Sequence, residues 1–404
     1  MTPTAKKSPV HVADLRGYSR LAVDATIGLA NLVETMHHNI LRTPGILGES
    51  TQQPTSGITG FVYKSIRGVT RAVGGGIDAV LARLVPLFGG GGSSAEREAV
   101  LAALNGVFGD HLEHSANPLA IPTRFRRAGL ALELERGALA ASIPGVTGKV
   151  LVLAHGLCMN DLLWRRKGHD HGAALAADAG FTPVYLHYNS GMHVSTNGHA
   201  FADQLEALLL AWPVPVDELV ILGHSMGGLV ARSACHYAAL TRLAWPQRLR
   251  KIIFLGTPHH GAPLERGGNW IDAALDASPY TTAFARLGKI RSAGITDLRH
   301  GSMLDEDWDH QDRFARSRRK PRALPLPANV ECHTIAASIA KKSGDLAERL
   351  LGDGLVPLAS ALGKHKDAIR QLAFPKDRQW IGYGMNHLDL LDRREVYAQI
   401  LRWL

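Results

Sequence analysis

The sequence predicts an α/β fold, a mostly parallel sheet with helices on both faces, together with a helical N-terminal extension and a lid-like insertion. After about residue 126, short apolar runs alternate with segments of helical periodicity, which is typical of a parallel sheet covered on both sides. The first 125 residues show helical spacing alone. Residues 262–328 lack strand signals, and so long a segment inside a compact fold is usually a functional insertion such as a lid.

The length and net charge of the chain limit its domain organisation and its binding partners. The 404 residues are 46% hydrophobic and 20% charged, enough for one large domain with an accessory region or for two domains. We divide the chain into an extension, residues 1–125, and an α/β domain, residues 126–404, that contains the insertion. The net charge of +9 favours anionic surfaces such as lipid headgroups. Nucleic acid is not an expected partner, because no binding motif accompanies the charge.

The cysteines and the N-terminus indicate a compartment. Cys158, Cys235 and Cys332 form neither a paired framework nor a metal-binding spacing, which favours a reducing, cytoplasmic environment. The basic N-terminus is followed by no apolar core, so no secretory signal is expected. No run of about 18 apolar residues occurs, so no membrane-spanning helix is expected either.

The sequence predicts no cofactor and no metal. Its glycine-rich segments lack the Lys-Ser/Thr ending of a phosphate loop. The run His169-Asp170-His171 could suggest metal ligands, but the charged residues before it favour a surface location.

The extension contains a cationic segment, residues 58–88. Apolar residues recur in it at helical spacing, and its polar face carries Lys64, Arg67, Arg71 and Arg83. Such a helix can lie on a membrane surface, which would make the protein membrane-peripheral, or its apolar stripe can pack against the rest of the chain. Both interpretations stay open. Ser93 and Glu96 then fit a capping box that opens another helix.

Five apolar runs predict the strands of the sheet: KVLVLAHG, TPVYLHY, ELVILG, RKIIFLG and NVECHTIAA. A sixth segment, ALELE at residues 131–135, alternates between apolar and polar residues and could form an antiparallel edge strand.

The segment GHSMG places Ser225 in a sharp turn between a buried strand and a helix. Gly223 and Gly227 flank the serine at two-residue spacing, the pattern of a nucleophile elbow, in which a strained serine is presented for attack. A glycine-rich turn with an inert serine is the alternative. The strand–turn–helix context favours the nucleophile.

A serine nucleophile needs a base, and the base needs an orienting acid. In this arrangement the chain order is serine, acid, histidine. His387 lies in a Gly-rich loop near the C-terminus, and Asp353 lies in a turn after the last predicted strand. The competing acids are Asp389, which we expect to begin a helix, and Asp297 and Asp305, which lie in the insertion. His224, next to the serine, is expected to point away from it.

The oxyanion formed by attack on a carbonyl needs backbone N–H donors that are already in place. Met226, which follows the serine, provides one of these donors. Leu157 provides the other, in the turn that His155 and Gly156 begin after the first predicted strand.

Five blocks in this order resemble the α/β-hydrolase superfamily, most closely its bacterial lipases and the esterases similar to GPI inositol-deacylase: HGLCMNDLLW, GHSMGGLVAR, IIFLGTPHHGAPLER, GDGLVPLASALG and GMNHLDLL. The resemblance covers roughly residues 128–404. It implies a triad of Ser225, Asp353 and His387, and it assigns no catalytic role to His259 or His260.

The expected activity is hydrolysis of carboxylic esters of apolar or lipid-like acyl groups, or of small-molecule esters, through an acyl-enzyme. Amide cleavage, thioester cleavage and acyl transfer use the same residues and stay open as alternatives. A non-catalytic role in membrane or partner binding is a further alternative, against which the complete set of site residues argues.

Overall fold

Eight strands form one sheet in the order β2-β1-β4-β3-β5-β6-β7-β8. The strands are β1 (Arg124–Arg127), β2 (Leu130–Ala131), β3 (Lys149–Ala154), β4 (Thr182–His187), β5 (Glu218–His224), β6 (Leu249–Leu255), β7 (Glu331–Ser338) and β8 (Gln379–Tyr383). All neighbours from β4 to β8 are parallel, whereas β1 pairs antiparallel with both β4 and β2. The predicted parallel α/β sheet is confirmed, and the five predicted apolar runs form β3 to β7.

The two margins of the sheet differ from the sequence prediction. The edge strand expected over residues 131–135 is present only as the exposed pair Leu130–Ala131. Its partner β1 has the sequence RFRR, and β8 has the sequence QWIGY. Neither segment is the kind of apolar run that marks a central strand, so the sequence alone did not indicate them.

From residue 95 onward, the described part of the chain contains eight α-helices. They are α1 (Ala95–His114), α2 (Arg136–Ser142), α3 (His171–Ala179), α4 (Val194–Ala211), α5 (Met226–Thr241), α6 (Ala293–His300), α7 (Leu358–Ala361) and α8 (Arg394–Trp403). Helix α1 begins where the capping-box pattern places a helix start, and it buries Leu101, Leu104 and Phe108.

The structure is a computed structural model of the chain that describes residues 14, 16–24, 95–262, 292–309, 320–341 and 352–404. The cationic segment 58–88 and Ser93 lie outside the described residues, as does much of the predicted insertion. The chain divides into two units. In the described part of the smaller one, residues 16–24 are helical and Arg20 donates a hydrogen bond to the carbonyl oxygen of Ala116. The larger unit contains the sheet.

The sheet is buried on both faces. Strands β3, β4 and β5 are almost wholly buried, as expected of parallel strands covered by helices. On one face Val220 and Leu222 of β5 pack in a core cluster with Leu390, Val396 and Ile400. The C-terminal segment is thereby fixed beneath the strands whose ends carry the site.

A buried ion network attaches α1 to the antiparallel margin of the sheet. Arg126 of β1 lies 2.7 Å from the Glu98 carboxylate on α1 and 3.2 Å from the Asp161 carboxylate. All three side chains are buried. Burial raises the pKa of Asp161, although the Arg126 charge opposes the shift. Removing one member of such a network would leave an uncompensated buried charge.

Over the described ranges, none of the helices combines the length and the apolar character that crossing a bilayer requires.

Candidate active site

The candidate site lies at the carboxyl ends of the parallel strands, where the chain changes direction across the sheet. From β3 the chain passes to β4 on one side, and β5 then returns to the other side of β3. Ala154 at the end of β3 is in register with Gly223 of β5. Loops that leave such adjacent strands in opposite directions open a crevice, which is the usual ligand site in α/β sheets.

Ser225 directly follows β5 in a strained backbone conformation. Its φ is 53° and its ψ is −122°, values that a residue with a side chain rarely adopts. The turn is fixed because the Ser225 N–H donates to the Leu255 carbonyl at 2.8 Å. The side-chain Oγ is buried and has no hydrogen-bond partner among the described residues. The chain thus maintains backbone strain at a serine whose hydroxyl is not used structurally.

The glycines around Ser225 allow helix and strands to approach closely. A Cβ atom added to Gly227 would lie 2.2 Å from the carbonyl oxygen of Ala154, at the end of β3. One added to Gly223 would lie 2.7 Å from the Cα atom of Gly228. These contacts are with backbone, which cannot move aside as a flexible side chain can. The two glycines are therefore required by packing.

His387 and Asp353 form a hydrogen-bonded pair. The imidazole Nδ1 lies 2.7 Å from Asp353 Oδ2, and the His387 N–H donates to the Asp353 carbonyl at 3.1 Å. The other carboxylate oxygen accepts N–H bonds from Leu355 and Val356. Since an ionised carboxylate only accepts hydrogen bonds, we assign the neutral ring's proton to Nδ1, which makes Nε2 the basic nitrogen.

Backbone bonds between two loops bring this pair together. After β7, the Ile339 N–H donates to the Gly352 carbonyl and begins the turn that holds Asp353. After β8, the Met385 N–H donates to the carbonyl of Ser338, the last residue of β7. The aspartate and the histidine therefore stand at the ends of neighbouring strands.

The other three candidate acids bond elsewhere. Asp389 accepts the N–H of Asn386 and thereby caps its own helical turn. Asp297 accepts from the imidazole Nδ1 of His193 and the N–H of Val194, both at 2.9 Å. Asp305 lies 3.0 Å from His199 Nε2. Among the described residues, Asp353 is the carboxylate that bonds the His387 ring.

The loop after β3 lies directly against Ser225. A Cβ atom added to Gly156 would be 3.1 Å from the Cβ of Ser225. In this loop the Cys158 N–H donates to Ser190 Oγ at 3.0 Å, whereas the Leu157 N–H has no acceptor in the described part of the chain. Met226 is the first residue of α5, where N–H groups lack intrahelical acceptors. Two backbone donors thus remain available beside the serine.

His155, which the sequence predicts only to begin a turn, packs beneath this loop and supports it. Its ring stacks on Tyr188 with a centroid distance of 4.2 Å, and its Nδ1 bonds the Gly156 carbonyl at 2.8 Å. The Tyr188 hydroxyl in turn donates to the His155 carbonyl. Burial lowers the pKa of His155 from 6.5 to about 4, so the ring is neutral at neutral pH. No sequence pattern marks the tyrosine, which follows β4.

His224 contacts the histidine loop, and the sequence did not indicate this contact. Its ring lies 4.7 Å from the His387 ring, and its Nε2 bonds the His387 carbonyl at 3.3 Å. The reason is the alternation of side chains along β5, which puts His224 on the same face as Val220 and Leu222. That face packs against the segment after His387. Burial, and the nearby His387, hold the pKa of His224 well below its usual value.

The expected surface location of His169-Asp170-His171 is wrong for His171, whereas His169 and Asp170 are partly exposed. His171 is fully buried, and its Nε2 donates to the Leu390 carbonyl at 2.9 Å, while His169 Nε2 lies 2.8 Å from its Nδ1. Asp170 caps α3 by accepting the Ala173 N–H. The motif connects α3 to the histidine loop. In the ranges that the structure covers, no three His, Cys, Asp or Glu side chains are grouped as metal ligands.

The chain resembles several known proteins. The model of the family described as PGAP1-like alpha/beta domain matches residues 146–339. No curated protein matches the sequence. Similar solved structures include lipase BlEst2 of Bacillus licheniformis in mature form, with 16% identity over 64% of this chain and 92% of that one and a TM-score of 0.40.

Two further solved structures are similar at the same level. Lipase B of Aspergillus fumigatus has 13% identity over 66% of this chain and 57% of its own, with a TM-score of 0.38. The RedJ thioesterase of the prodiginine biosynthetic pathway in Streptomyces coelicolor has 13% identity over 64% of this chain and 91% of its own, with a TM-score of 0.36. At these values the likenesses do not bear on the substrate. The sheet order and the family match over residues 146–339 together show the α/β-hydrolase fold.

Proposed function

We propose that this protein hydrolyses carboxylic esters, with Ser225 as nucleophile, His387 as general base and Asp353 as the acid that orients the imidazole. The observation that carries the proposal is the strained Ser225 turn, with φ of 53°, at the same sheet edge as the 2.7 Å pair of His387 and Asp353. A serine hydrolase needs a serine in a strained turn and a histidine held in a fixed orientation, and maintaining both lowers the stability of the fold.

In the acylation half of the reaction, Ser225 Oγ attacks the ester carbonyl carbon while His387 Nε2 accepts the hydroxyl proton. The carbonyl oxygen becomes an oxyanion that accepts hydrogen bonds from the N–H groups of Leu157 and Met226. Asp353 stabilises the imidazolium through the Nδ1–H bond. The C–O bond to the leaving group then breaks, and His387 returns the proton to the departing alcohol.

In the deacylation half, a water molecule takes the place of the alcohol. His387 removes a proton from the water, which attacks the acyl carbon, and the same two N–H groups hold the second oxyanion. The bond to Ser225 Oγ breaks, the serine regains a proton from His387, and the carboxylic acid leaves. The two half-reactions together convert ester and water into alcohol and carboxylic acid, with no change of oxidation state.

We further propose that the substrate carries an apolar or lipid-like acyl group and that the protein works in the cytoplasm, in contact with membrane surfaces. Support comes from the resemblance of the sequence blocks to lipases and from the cationic, apolar-striped sequence of residues 58–88. Because exposed charges are screened by salt, binding through this segment should weaken as ionic strength rises. Liposome co-sedimentation of the full chain, with Lys64, Arg67, Arg71 and Arg83 changed to Gln as the comparison, tests this. Equal binding to anionic and neutral vesicles by both chains contradicts it.

The catalytic proposal is tested by labelling with a fluorophosphonate and by turnover of matched ester, thioester and anilide substrates. Ser225→Ala should lose labelling and should lower turnover by about 10⁴-fold or more while the protein stays folded. Ser233→Ala, two turns along α5, is the matched control, because the Ser233 hydroxyl bonds the Met303 carbonyl. It should keep both labelling and turnover.

The outcomes separate the alternatives. Near-native turnover by Ser225→Ala contradicts the proposed nucleophile. If Ser225 is labelled but the protein prefers the thioester or the anilide, the activity is thioesterase or amidase chemistry on the same residues. If an added alcohol captures the acyl group faster than water does, the activity is acyl transfer. No labelling at all favours the non-catalytic role.

A further inference from the structure

A cavity apart from the candidate triad is lined by basic side chains. The charged and titratable side chains that line it are Arg232, His259, His260, His300, Arg322 and Arg370. None of the described lining residues is an aspartate or a glutamate. Arg232 lies two turns along α5 from Ser225, and His259 lies in the loop after β6.

Arg232 is a buried cation that has no anion beside it among the described residues. The residue is 2% exposed. Its Nη1 lies 3.3 Å from His259 Nδ1 and its Nη2 donates to the Leu324 carbonyl, whereas its Nε has no partner in the part of the chain that the structure describes. Burial lowers the pKa of Arg232 to about 10, so the guanidinium is still charged at neutral pH. Buried charges in proteins are usually paired with an opposite charge.

His259 adds a second donor that lacks an acceptor. A guanidinium only donates, so the His259 Nδ1 facing it must accept, and the ring proton must be on Nε2. That Nε2 is buried and has no partner within the described ranges. Burial and the Arg232 charge hold the pKa of His259 well below its usual value, so the ring is neutral. Rings of Phe254 and Phe374 pack against it and fix its position.

Both groups are donors, and both belong to side chains at a cavity whose described lining includes no carboxylate. Leaving a buried donor unsatisfied costs about 1–3 kcal/mol, and more when it is charged. An oxyanion would supply the missing acceptors and the missing charge together, whereas a water molecule would supply only acceptors. We propose that this cavity binds a small oxyanion, a phosphate or carboxylate group, which accepts hydrogen bonds from Arg232 Nε and His259 Nε2.

The binding test is independent of hydrolysis. Thermal unfolding of the full chain is measured in rising inorganic phosphate at constant ionic strength, with chloride as the balancing ion. A ligand that binds the native state alone should raise Tm along a saturating curve, by about 3 °C at a hundredfold excess over Kd. Arg232→Gln should abolish the saturating part, whereas Arg250→Gln, at an exposed position on β6, should retain it. Equal rises in all three proteins would show general salt stabilisation and would overturn the proposal.

A measurement on the unchanged protein covers the case in which Arg232→Gln does not fold. In crystals grown with selenate, an anomalous selenium peak is expected within hydrogen-bonding distance of Arg232 and His259. No peak, or peaks at exposed arginines alone, would overturn the proposal.

The same ligand chemistry could come from a free ion or from an acidic group of the substrate. If phosphate raises KM for an acidic ester but not for its neutral isostere, the substrate group occupies the cavity. If phosphate binds without changing KM for either ester, the ligand is a free ion. Either result supports the site.

Discussion

The two halves of the candidate site are built by different means. The half at the ends of β3 and β5, which carries Leu157, Ser225 and Met226, is held by backbone contact: added Cβ atoms at Gly223 and Gly227 would meet main-chain atoms within 2.7 Å. The half at the ends of β7 and β8, which carries Asp353 and His387, is held by hydrogen bonds between loops.

This difference determines how each half should respond to change. Close backbone packing fails when volume is added, because protein interiors have little spare space. A hydrogen-bonded loop pair fails when a donor, an acceptor or a charge is altered, because each buried polar atom depends on its partner. Substitutions that add side-chain volume should therefore damage the serine half. Substitutions that alter a donor, an acceptor or a charge should damage the histidine half.

The largest effect is expected for Asp353→Asn in the histidine half. The amide can donate to His387 Nδ1 and so favours the wrong imidazole tautomer, which in a serine protease lowers kcat by about 10⁴-fold. The shape of the turn should survive, because the amide oxygen can still accept the N–H groups of Leu355 and Val356. Steady-state kinetics on a simple ester, with circular dichroism to check folding, measures the effect.

Asp297→Asn and Asp305→Asn are the matched controls. Their carboxylates bond His193 and His199 instead of His387, so turnover should change by less than about tenfold. If Asp353→Asn remains active while one of these two variants loses activity, the orienting acid comes from the insertion.

The second prediction concerns volume in the serine half. Gly227→Ala would place a methyl group 2.2 Å from the Ala154 carbonyl oxygen, so α5 or the end of β3 must shift. We expect a loss of about 3 kcal/mol in the free energy of unfolding, together with a loss of turnover, because the Met226 and Leu157 donors shift too. Urea unfolding and ester kinetics measure the two effects.

Gly137→Ala in α2 provides the contrast, since an added Cβ there meets nothing within 4 Å. It should be neutral or stabilising by about 0.5–1 kcal/mol, because alanine favours helix. A similar stability for both variants would mean that the close contacts around Ser225 do not hold the serine half.

The serine half could be predicted from the sequence because its determinants are local. An apolar strand, a Gly-x-Ser-x-Gly turn and a helical pattern occupy one continuous stretch, and β3 to β7 follow from equally local apolar runs. The strained φ of Ser225 is the conformation that this motif predicts. For the histidine half the sequence supplied candidates and a chain order, and the pairing of His387 with Asp353 required the fold.

The support behind the histidine half could not be predicted. His171 belongs to a charged run that reads as surface, yet it is buried against Leu390, which is 219 residues away along the chain. His224 depends on which face of β5 meets the C-terminal segment. Both contacts arise from packing between distant elements, for which a single sequence gives no signal. The sequence does not indicate the short strands β1 and β8 for a related reason. Their strand pattern is weak, and they form because they pair with a neighbouring strand.

The third prediction is that acid weakens the support of both halves. Burial lowers the pKa of His155 and of His171 from 6.5 to about 4. Between pH 4 and pH 6.5 these histidines bind protons in the unfolded chain but not in the folded chain. The free energy of unfolding is therefore highest above pH 6.5 and falls as the pH drops towards 4. Each histidine should account for a loss of about 2 kcal/mol between pH 7.5 and pH 5.

The measurement is urea unfolding at these two pH values for the unchanged protein, His171→Phe and His114→Gln. His171→Phe should lower stability at pH 7.5, because the Leu390 carbonyl loses its donor, but its further loss at pH 5 should be smaller by about 2 kcal/mol. His114 is exposed on α1, so its variant should follow the unchanged protein. An identical loss in all three proteins would show that His171 does not contribute to the loss of stability in acid.

The smallest expected effect, and the one that joins the two halves, belongs to His224. Its Nε2–H donates to the His387 carbonyl at the long distance of 3.3 Å, so it positions the histidine loop from the end of the strand that carries Ser225. His224→Phe keeps the ring packing beside Trp164 but removes the donor, and one hydrogen bond is worth about 1 kcal/mol, or roughly a fivefold loss in kcat. His224→Gln can restore a donor and should recover part of that loss, with KM unchanged in both variants.

Steady-state kinetics across pH separates this positioning role from a direct part in proton transfer. A loss of 10³-fold or more with a shifted pH profile would make His224 part of the chemistry, and no change in either variant would mean that the two halves are held independently.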